Sequence, residues 1–364
     1  MKKELLKTLE TPCIVIDVKQ AEENIKNMAK AVKCKLRPHI KTHKMLSFAK
    51  LQLDTACGIS CAKITEAEVM SQVAKDIFIA YPLIGEVKIN KALALQKKID
   101  RLILAVDSLE GAKKLNDVAK KHNTIFEIRV EIDTGVKRTG ISISKTLGLC
   151  KAVEQMSNLN LTGVYTFKSL VYKGTDTTDK YLAAKEEGEI MEKIAKTLRA
   201  NGINIMDVSA GSTPTAIEVS KNKAITEVRP GTYVFYDYMM YKENSCKYEE
   251  IACRFYATVI SSHEDYCVID GGTKTFPMDI FLNQDPYNYT GYVYIDNNDL
   301  ALTKMYEEHG IIYSKSKTME YKVGDIIELV PIHICTAINL QNEVYLYKDG
   351  KLFKEKVAGR GMLT

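Results

Sequence analysis

The sequence has 364 residues, a formal net charge of +5, 46% hydrophobic residues and 27% charged residues. This length exceeds what one typical core accommodates, and it predicts one large domain with a smaller one. Because the 51 basic and 46 acidic residues are interspersed, without a basic block or a basic-aromatic repeat, we expect no nucleic-acid partner.

The nine cysteines lack the paired spacing of small secreted proteins, and most lie inside apolar runs. Residues 1–4 are followed by no apolar signal segment, and no apolar run has the length of a membrane span. We therefore expect a cytoplasmic protein that does not associate with a membrane.

Short apolar segments alternate with amphipathic segments through the first two thirds of the chain. Predicted strands precede Lys41 and then cover 57–62, 76–81, 101–106, 126–132, 160–166, 205–210 and 228–236. Predicted helices follow Asp17 and then cover 65–75, 86–97, 108–121, 145–157 and 179–200. A doubly wound sheet gives the same alternation, but about eight βα units favour an α/β fold of the (β/α)8 TIM-type barrel class.

The composition changes after about residue 245, where helical periodicity mostly stops. Short apolar runs separated by Gly, Asn and Asp predict a C-terminal antiparallel β domain. Its predicted strands are 254–260, 266–269, 326–330, 332–338 and 344–347. The predicted domains are therefore a barrel over 10–245 and a β domain over 246–364, and residues 1–9 are open to packing with the latter.

The stretch 36–44 (LRPHIKTHK) concentrates one guanidinium, two imidazoles and two amines after a short apolar run. Pro38 favours an extended Arg37, which predicts the end of a strand. If that strand continues, His39, Lys41 and His43 share one face. A lysine that is partly desolvated beside other cations becomes a nucleophilic amine suited to Schiff-base chemistry. A solvated basic loop explains this stretch equally well by itself.

In a barrel of this class the active site lies at the carboxyl ends of the strands. The residues expected there are Lys41, Asp133, Tyr165, 209–212 and 229–233. Glycine and small hydroxyls in 209–215 (SAGSTPT) can present donors to a phosphate, with 229–233 (RPGTY) as a second wall. The alternative is a simple turn with a capping serine.

Two further motifs carry candidate ligands. The loop 133–140 presents Arg138, which can bind a phenolate or carboxylate or can pair with Asp133 across the loop. His333 and Cys335 lie two residues apart in a predicted strand, so that imidazole and thiolate converge as zinc ligands would. A buried core histidine and cysteine is the competing interpretation.

Together and in this order, these motifs resemble the D-threonine aldolase and D-serine dehydratase family of pyridoxal phosphate (PLP) enzymes. The resemblance runs nearly end to end, through RPHIKTHK, the 133–140 loop, SAGSTPT, RPGTYVFYD, EEHG and PIHIC. It implies an alanine-racemase-like (β/α)8 barrel followed by a β domain, in agreement with the architecture predicted from the pattern.

The resemblance also implies roles for individual residues. Lys41 binds the cofactor covalently, Arg138 lies near its phenolic oxygen, and Tyr165 contacts its ring. The residues implied around the phosphate are Ser209, Gly211, Ser212, Thr213, Gly231, Thr232 and Tyr233. His333 and Cys335 match a pair that binds a divalent metal, zinc or manganese, and the implied catalytic residues are Lys41, Tyr165 and His333.

The implied activity is a lyase reaction on a small β-hydroxy-D-amino acid, either dehydration with deamination or retro-aldol cleavage to glycine and an aldehyde. The alternatives are an amino-acid racemase of the same fold and a non-catalytic PLP-binding protein. A homodimer is implied as well. One departure concerns Phe167, which stands where many relatives have the histidine of a Tyr-x-His motif, so that no imidazole acts there.

Overall fold

The computed structural model of the chain describes residues 3–364, which form two compact units. The barrel unit comprises 26–41, 46–231 and 361–364, and the β unit comprises 3–25, 42–45 and 232–360. This division differs from the predicted 10–245 and 246–364. At the N-terminal boundary, the strand Cys13–Asp17 hydrogen-bonds into the sheet of the β unit, although it was predicted in the barrel. At the second boundary, the barrel unit ends at residue 231 instead of 245, apart from its C-terminal segment 361–364.

Residues 3–364 contain strands and helices that we number in chain order. The strands are β1 (Cys13–Asp17), β2 (Lys35–Leu36), β3 (Ile59–Cys61), β4 (Asp76–Pro82), β5 (Arg101–Val106), β6 (Phe126–Asp133), β7 (Ile141–Ser142), β8 (Leu159–Thr166), β9 (Val171–Tyr172), β10 (Thr175–Asp176), β11 (Asp207–Ala210), β12 (Glu227–Val228), β13 (Cys253–Ser262), β14 (Tyr266–Ile269), β15 (Val293–Tyr294), β16 (Leu300–Met305), β17 (Gly310–Ser314), β18 (Ile326–Pro331), β19 (Glu343–Lys348) and β20 (Lys351–Lys356). The α-helices are α1 (Lys3–Leu6), α2 (Val18–Ala31), α3 (Leu46–Leu53), α4 (Ile64–Met70), α5 (Glu86–Gln96), α6 (Leu109–Lys121), α7 (Ile143–Glu154), α8 (Lys180–Ala200), α9 (Ala216–Val219), α10 (Tyr238–Lys242) and α11 (Ile334–Leu340). Short 3-10 helices cover Ile40–Thr42, Thr232–Val234 and Tyr248–Glu250.

The barrel unit is built on eight parallel strands in the order β2-β12-β11-β8-β6-β5-β4-β3, with β7 added beside β6. The two ends of this order meet. His39 pairs with Ser60 in a parallel bridge, and the Ser60 N–H donates to the Pro38 carbonyl at 2.8 Å. The predicted (β/α)8 barrel is thereby confirmed.

The inner strands are apolar along most of their length because the sheet is covered on both faces. In β4, Ile77, Phe78 and Ile79 have no exposed surface. The covering helices are amphipathic. In α6, for example, the buried residues Ala112, Leu115 and Ala119 recur at helical spacing.

A buried ion network lies at the amino ends of the barrel strands. Asp76, Asp207 and Glu227 are the first residues of β4, β11 and β12. Arg129 donates to Glu227 Oε1 at 2.6 Å and to Asp207 Oδ2 at 2.9 Å. Arg37 donates to Glu227 Oε2 at 2.7 Å and to Asp76 Oδ1 at 2.6 Å. This end of the barrel therefore serves stability, which leaves the carboxyl ends for chemistry.

The sheet of the β unit has the order β16-β17-β14-β13-β1-β19-β20, and β18 pairs with β13 and β15. Its pairs are antiparallel except for β1 with β19. The predicted β domain is therefore confirmed in class. In detail, the predicted strand 332–338 is wrong, because α11 begins at Ile334 within that segment. Of the predicted strand 228–236 only Val228 lies in a strand, and 232–234 form a 3-10 helix instead. None of the helices in residues 3–364 combines the length and the apolar character that crossing a membrane requires.

Candidate active site

Lys41 lies in the 3-10 helix that follows β2, not in a continued strand. The prediction that His39, Lys41 and His43 share a strand face is therefore wrong. Local hydrogen bonds explain the turn, since the Lys41 N–H donates to His39 Nδ1 at 3.4 Å and the Met45 N–H to His43 Nδ1 at 3.0 Å. The chain still presents Lys41 just beyond the carboxyl end of the first barrel strand.

The amine of Lys41 is half-buried and has no carboxylate beside it. Its Nζ lies 5.8 Å from the centroid of the Phe167 ring, and within residues 3–364 it makes no ion pair or side-chain hydrogen bond. Lys168 differs, because its fully buried Nζ is 2.6 Å from Glu186 Oε2. Of these two lysines, Lys41 is the one whose amine is available to react with a carbonyl carbon.

Arg138 reaches the same phenylalanine from the loop after β6. Its Cζ is 4.4 Å from the centroid of the Phe167 ring, and its Nη2 is 4.0 Å from Glu131 Oε1. Asp133 does not pair with Arg138, because its Oδ1 accepts the N–H groups of Gly135 and Lys137 at 2.9 and 3.1 Å. The guanidinium is half-exposed and remains free to bind an anion.

Tyr165 is the last residue but one of β8, and its ring is buried edge-on against Phe78, at 4.9 Å between centroids. Its hydroxyl makes no hydrogen bond of good geometry in the described part of the chain, although Glu131 is near. Burial first, and the charge of Glu131 second, hold the pKa of Tyr165 well above its ordinary value. Tyr165 is therefore a neutral phenol whose buried hydroxyl can serve as a donor to a ligand.

The two predicted phosphate walls meet at Thr213. The Gly231 N–H donates to Thr213 Oγ1 at 3.2 Å. Gly211 has a φ of +83°, and a Cβ there would come within 2.7 Å of Val219 Cγ1, so that this turn requires glycine. The Ser212 N–H donates to Thr215 Oγ1 at 3.1 Å. The turn is thus preformed, with the hydroxyls of residues 212 and 213 on it.

Other predicted members of the phosphate set have partners of their own. Ser209 Oγ donates to Glu227 Oε1 at 2.6 Å and accepts from Arg229 Nη1 at 2.5 Å, which ties it to the network below. Thr232 Oγ1 lies 3.7 Å from Cys335 Sγ, and Tyr233 is fully buried in the 3-10 helix that begins at Thr232.

In the β unit, His333 is the N-cap residue of α11 and Cys335 is its second residue. The predicted strand over this pair is wrong because Asp237 starts a helix there. Asp237 Oδ2 accepts the Ile334 N–H at 3.0 Å, while Oδ1 accepts the Met240 N–H of α10 at 2.8 Å. The backbone of His333 remains extended, and its imidazole stays within hydrogen-bonding reach of the Cys335 sulfur.

The imidazole and the thiol are each held by further side chains. His333 Nδ1 lies 2.6 Å from Asp279 Oδ2, and Cys335 Sγ lies 3.2 Å from Thr42 Oγ1. Burial opposes protonation of His333, but Cys335 and Asp279 outweigh it and raise the pKa of His333 to about 11. A nitrogen and a sulfur donor that converge in this way can bind a divalent metal, which displaces their protons when it binds.

Comparisons with known proteins agree with this arrangement. A model of the N-terminal domain of alanine racemase matches residues 16–239, and a serine dehydratase domain model matches 252–347. The chain is 30% identical to D-threo-3-hydroxyaspartate dehydratase of Delftia sp. (strain HT23), over 91% of this chain and 92% of that one. It is 29% identical to D-serine dehydratase of Dictyostelium discoideum, over 94% and 95%.

The chain belongs to the D-serine dehydratase and D-threonine aldolase family.

Solved structures give the same result. A cysteine-to-alanine mutant of D-threo-3-hydroxyaspartate dehydratase, described as its metal-free form, superposes with a TM-score of 0.87 at 28% identity, covering 96% of this chain and 98% of that one. An alanine racemase of Clostridium difficile 630 reaches a TM-score of 0.69 at 14% identity, which shows the shared fold alone.

The ring of Phe167 lies near two of the candidate cofactor-binding side chains. The half-buried ring of Phe167 is within 6 Å of the Lys41 amine and of the Arg138 guanidinium, at 5.8 and 4.4 Å from its centroid, so an apolar surface adjoins two cations. A ring in this position restricts where the two side chains move without taking a proton from either.

Several site residues escaped prediction because their partners are distant in sequence. Glu187 on α8 accepts the Gly211 N–H at 2.9 Å and the Thr215 hydroxyl at 3.0 Å, and so holds the phosphate-type turn. Asp237 and Asp279 were likewise missed. For Glu187 the sequence did contain a signal, since this carboxylate interrupts the buried face of α8.

Proposed function

We propose that this protein is a PLP- and divalent-metal-dependent lyase that acts on β-hydroxy-D-amino acids. The observation that carries the proposal is the amine of Lys41, half-buried at the end of the first barrel strand and, in residues 3–364, without a carboxylate partner. The next residue in the chain, Thr42, contacts the sulfur of Cys335 at 3.2 Å. The named relatives are dehydratases that act on D-serine and D-threo-3-hydroxyaspartate, both of which carry a β-hydroxyl.

The residues of the barrel unit fit PLP. Lys41 would bond to its aldehyde carbon, and Arg138 would lie near its phenolic oxygen. Ser212, Thr213 and Gly231, which the Thr213–Gly231 hydrogen bond brings together, would surround its phosphate. When bound, PLP takes up the electron density that develops at the α-carbon of an amino acid. The buried Tyr165 hydroxyl, which lacks a partner of good geometry in the described chain, is a donor suited to the ring of such a group.

His333 and Cys335 would hold the metal, which we propose to be zinc or manganese. Two protein ligands are fewer than a structural zinc site uses, so positions remain for water and for a substrate oxygen. A metal bound there supplies Lewis acidity toward the β-hydroxyl of the substrate.

The outcome of the reaction depends on which proton the protein removes. With its amine released, Lys41 would take the α-proton and the β-hydroxyl would leave as water, and hydrolysis of the resulting enamine gives ammonia and an oxo acid. Removal of the proton from the β-hydroxyl instead breaks the Cα–Cβ bond and gives glycine and an aldehyde. We favour elimination, because the His-x-Cys form of the pair resembles the dehydratases more than the aldolases, which often have His-x-Asp.

The other functions have less support. Racemisation needs acid and base groups on both faces of the substrate and no metal, and racemases match this chain only distantly. A non-catalytic PLP carrier is usually a barrel alone, whereas this chain adds the β unit with its His333–Cys335 pair. We also propose a cytoplasmic homodimer without a nucleic-acid or membrane partner. The nine free cysteines support the location, and light scattering of the purified protein would test the dimer.

The cofactor part of the proposal is tested by absorbance. Protein purified with PLP should show the visible band of a lysine-bound cofactor, and Lys41→Ala should lose it. Lys44→Ala is the matched control, because Lys44 Nζ lies 2.9 Å from Asn339 Oδ1 and is committed to the β unit. A band that survives in Lys41→Ala, or that Lys44→Ala removes, contradicts the assignment.

A further inference from the structure

The short contact between Asp279 and His333 is not part of either motif that suggested the function. Asp279 lies between β14 and β15, 54 residues before His333, and its Oδ2 is 2.6 Å from His333 Nδ1. We propose that Asp279 is a positioning residue for the metal-binding pair His333 and Cys335. Asp279 fixes the imidazole of His333 so that Nε2 is the nitrogen presented to the metal. This inference rests on the proposed metal-dependent function.

The chemistry of the contact determines the tautomer. An ionised carboxylate only accepts hydrogen bonds, so the nitrogen that faces it carries the proton. A neutral imidazole with its proton on Nδ1 has its free lone pair on Nε2. Carboxylates behind metal-binding histidines act in this way in general, since they hold both the tautomer and the ring orientation.

Asp279 is itself held in place. Its Oδ1 accepts the hydroxyl of Thr336 at 3.1 Å, and the same hydroxyl lies 3.1 Å from the carbonyl oxygen of His333. Thr336 lies in the first turn of α11, the helix that His333 caps. The carboxylate is therefore anchored to the same turn of chain whose imidazole it orients.

The alternative is that Asp279 is a third metal ligand. In the part of the chain that the structure describes, His, Cys, Asp and Glu side chains form no group of three that could hold an ion. The carboxylate instead uses one oxygen on Nδ1 and the other on Thr336. Both oxygens are thus directed at protein donors, which assigns Asp279 to orientation rather than to coordination.

Metal affinity tests this assignment independently of turnover. Dissociation constants for Zn²⁺ and Mn²⁺ are measured on the full-length protein by competition with a chromogenic chelator. Asp279→Ala should weaken binding about 10- to 100-fold, the usual effect of removing such a partner. Asp279→Asn retains an acceptor oxygen and should weaken it less.

Asp285→Asn is the matched control for charge. Asp285 lies on the same segment and accepts from Asn288 at 2.7 Å, without a contact to the pair. It should bind metal as the wild type does. Wild-type affinity in Asp279→Ala, or an equal loss in Asp285→Asn, overturns the proposal.

A second measurement needs no variant and therefore no assumption about folding. In protein labelled with ¹⁵N-histidine and loaded with Zn²⁺, the signals of His333 should show a proton on Nδ1 and the metal on Nε2. Metal on Nδ1 overturns the inference. If the wild type binds metal through His333 and the affinity is unchanged in Asp279→Ala, the inference fails and the proposed function stands. If the wild type binds neither metal, both fail.

Discussion

The hydroxyl of Thr42 lies 3.2 Å from the sulfur of Cys335, 293 residues further along the chain. Thr42 directly follows Lys41, so the residue next to the candidate cofactor lysine supports the candidate metal ligand. In this contact either atom can be the donor. If the hydroxyl donates, it stabilises the thiolate that a metal requires.

Replacement of Thr42 by Val tests that donation. Valine keeps the shape but removes the hydroxyl, so we expect Zn²⁺ binding to weaken severalfold, because the metal-bound sulfur then lacks a hydrogen-bond donor for its negative charge. Thr42→Ser keeps the hydroxyl and should bind as the wild type does. Equal affinity in all three proteins, measured by chelator competition, would show that the sulfur does not depend on this bond.

A second prediction concerns the contribution of the Phe167 ring to the affinity for PLP. Phe167→Leu keeps an apolar side chain but removes the face that contacts Arg138 at 4.4 Å. A cation–π contact at a partly exposed site contributes about 0.5–1 kcal/mol, so PLP should bind about two- to fivefold more weakly. Phe167→Tyr retains the ring and is the control. An absorbance titration that gives the same affinity for Leu and Tyr would assign the ring no role in holding Arg138.

Replacement of Glu227 tests how much the buried ion network contributes to the stability of the barrel. Glu227→Gln leaves Arg37 and Arg129 without their shared carboxylate, and breaking a buried pair of this kind costs about 3–5 kcal/mol. Glu68→Gln is the control within the barrel unit, since its ion pair with Lys91 is partly exposed and contributes less than about 1 kcal/mol. Urea unfolding of the barrel measures both. Similar losses in the two variants would contradict the account.

The same carboxylate sets a pH dependence. Burial raises the pKa of Glu227, but Arg37 and Arg129 outweigh burial and hold the pKa far below its ordinary value. The stabilisation is therefore fully present above the unfolded-state pKa of about 4.3 and is lost as the pH falls toward the folded-state pKa. The difference in stability between wild type and Glu227→Gln should narrow as the solution is acidified from pH 5. A difference that stays constant down to pH 3 would exclude this explanation.

The sequence predicted the elements whose signals are local. β5 matches the predicted 101–106, and α8 begins and ends within a residue of the predicted 179–200. A continuous apolar run predicts the strand and a long amphipathic stretch predicts the helix, and both patterns are local in the sequence. β1 was not predicted as part of the second sheet. Its partners β13 and β19 lie more than two hundred residues away, and no local pattern reveals which sheet a short apolar strand joins.

Some residues of the candidate site could likewise be predicted from local motifs, and others could not. Lys41 and Thr213 could be placed from motifs, because a barrel brings the carboxyl ends of its strands together. The helix at Cys335 could not be predicted. The alternation in 332–338 is typical of a strand, and the helix depends on capping by Asp237, which is 97 residues away from Ile334. Asp279 is hidden for the same reason, since its partner is 54 residues distant.

The most direct test of the proposed lyase is product analysis with single enantiomers. The purified protein, loaded with PLP and Zn²⁺ or Mn²⁺, is incubated with D-serine, D-threonine and D-threo-3-hydroxyaspartate, with their L-enantiomers as controls. We predict release of ammonia with an oxo acid, or of glycine with an aldehyde, from a D-substrate only, with loss of activity on chelation and recovery on adding the metal. Conversion of D- to L-amino acid without either product, unaffected by the chelator, would contradict the account.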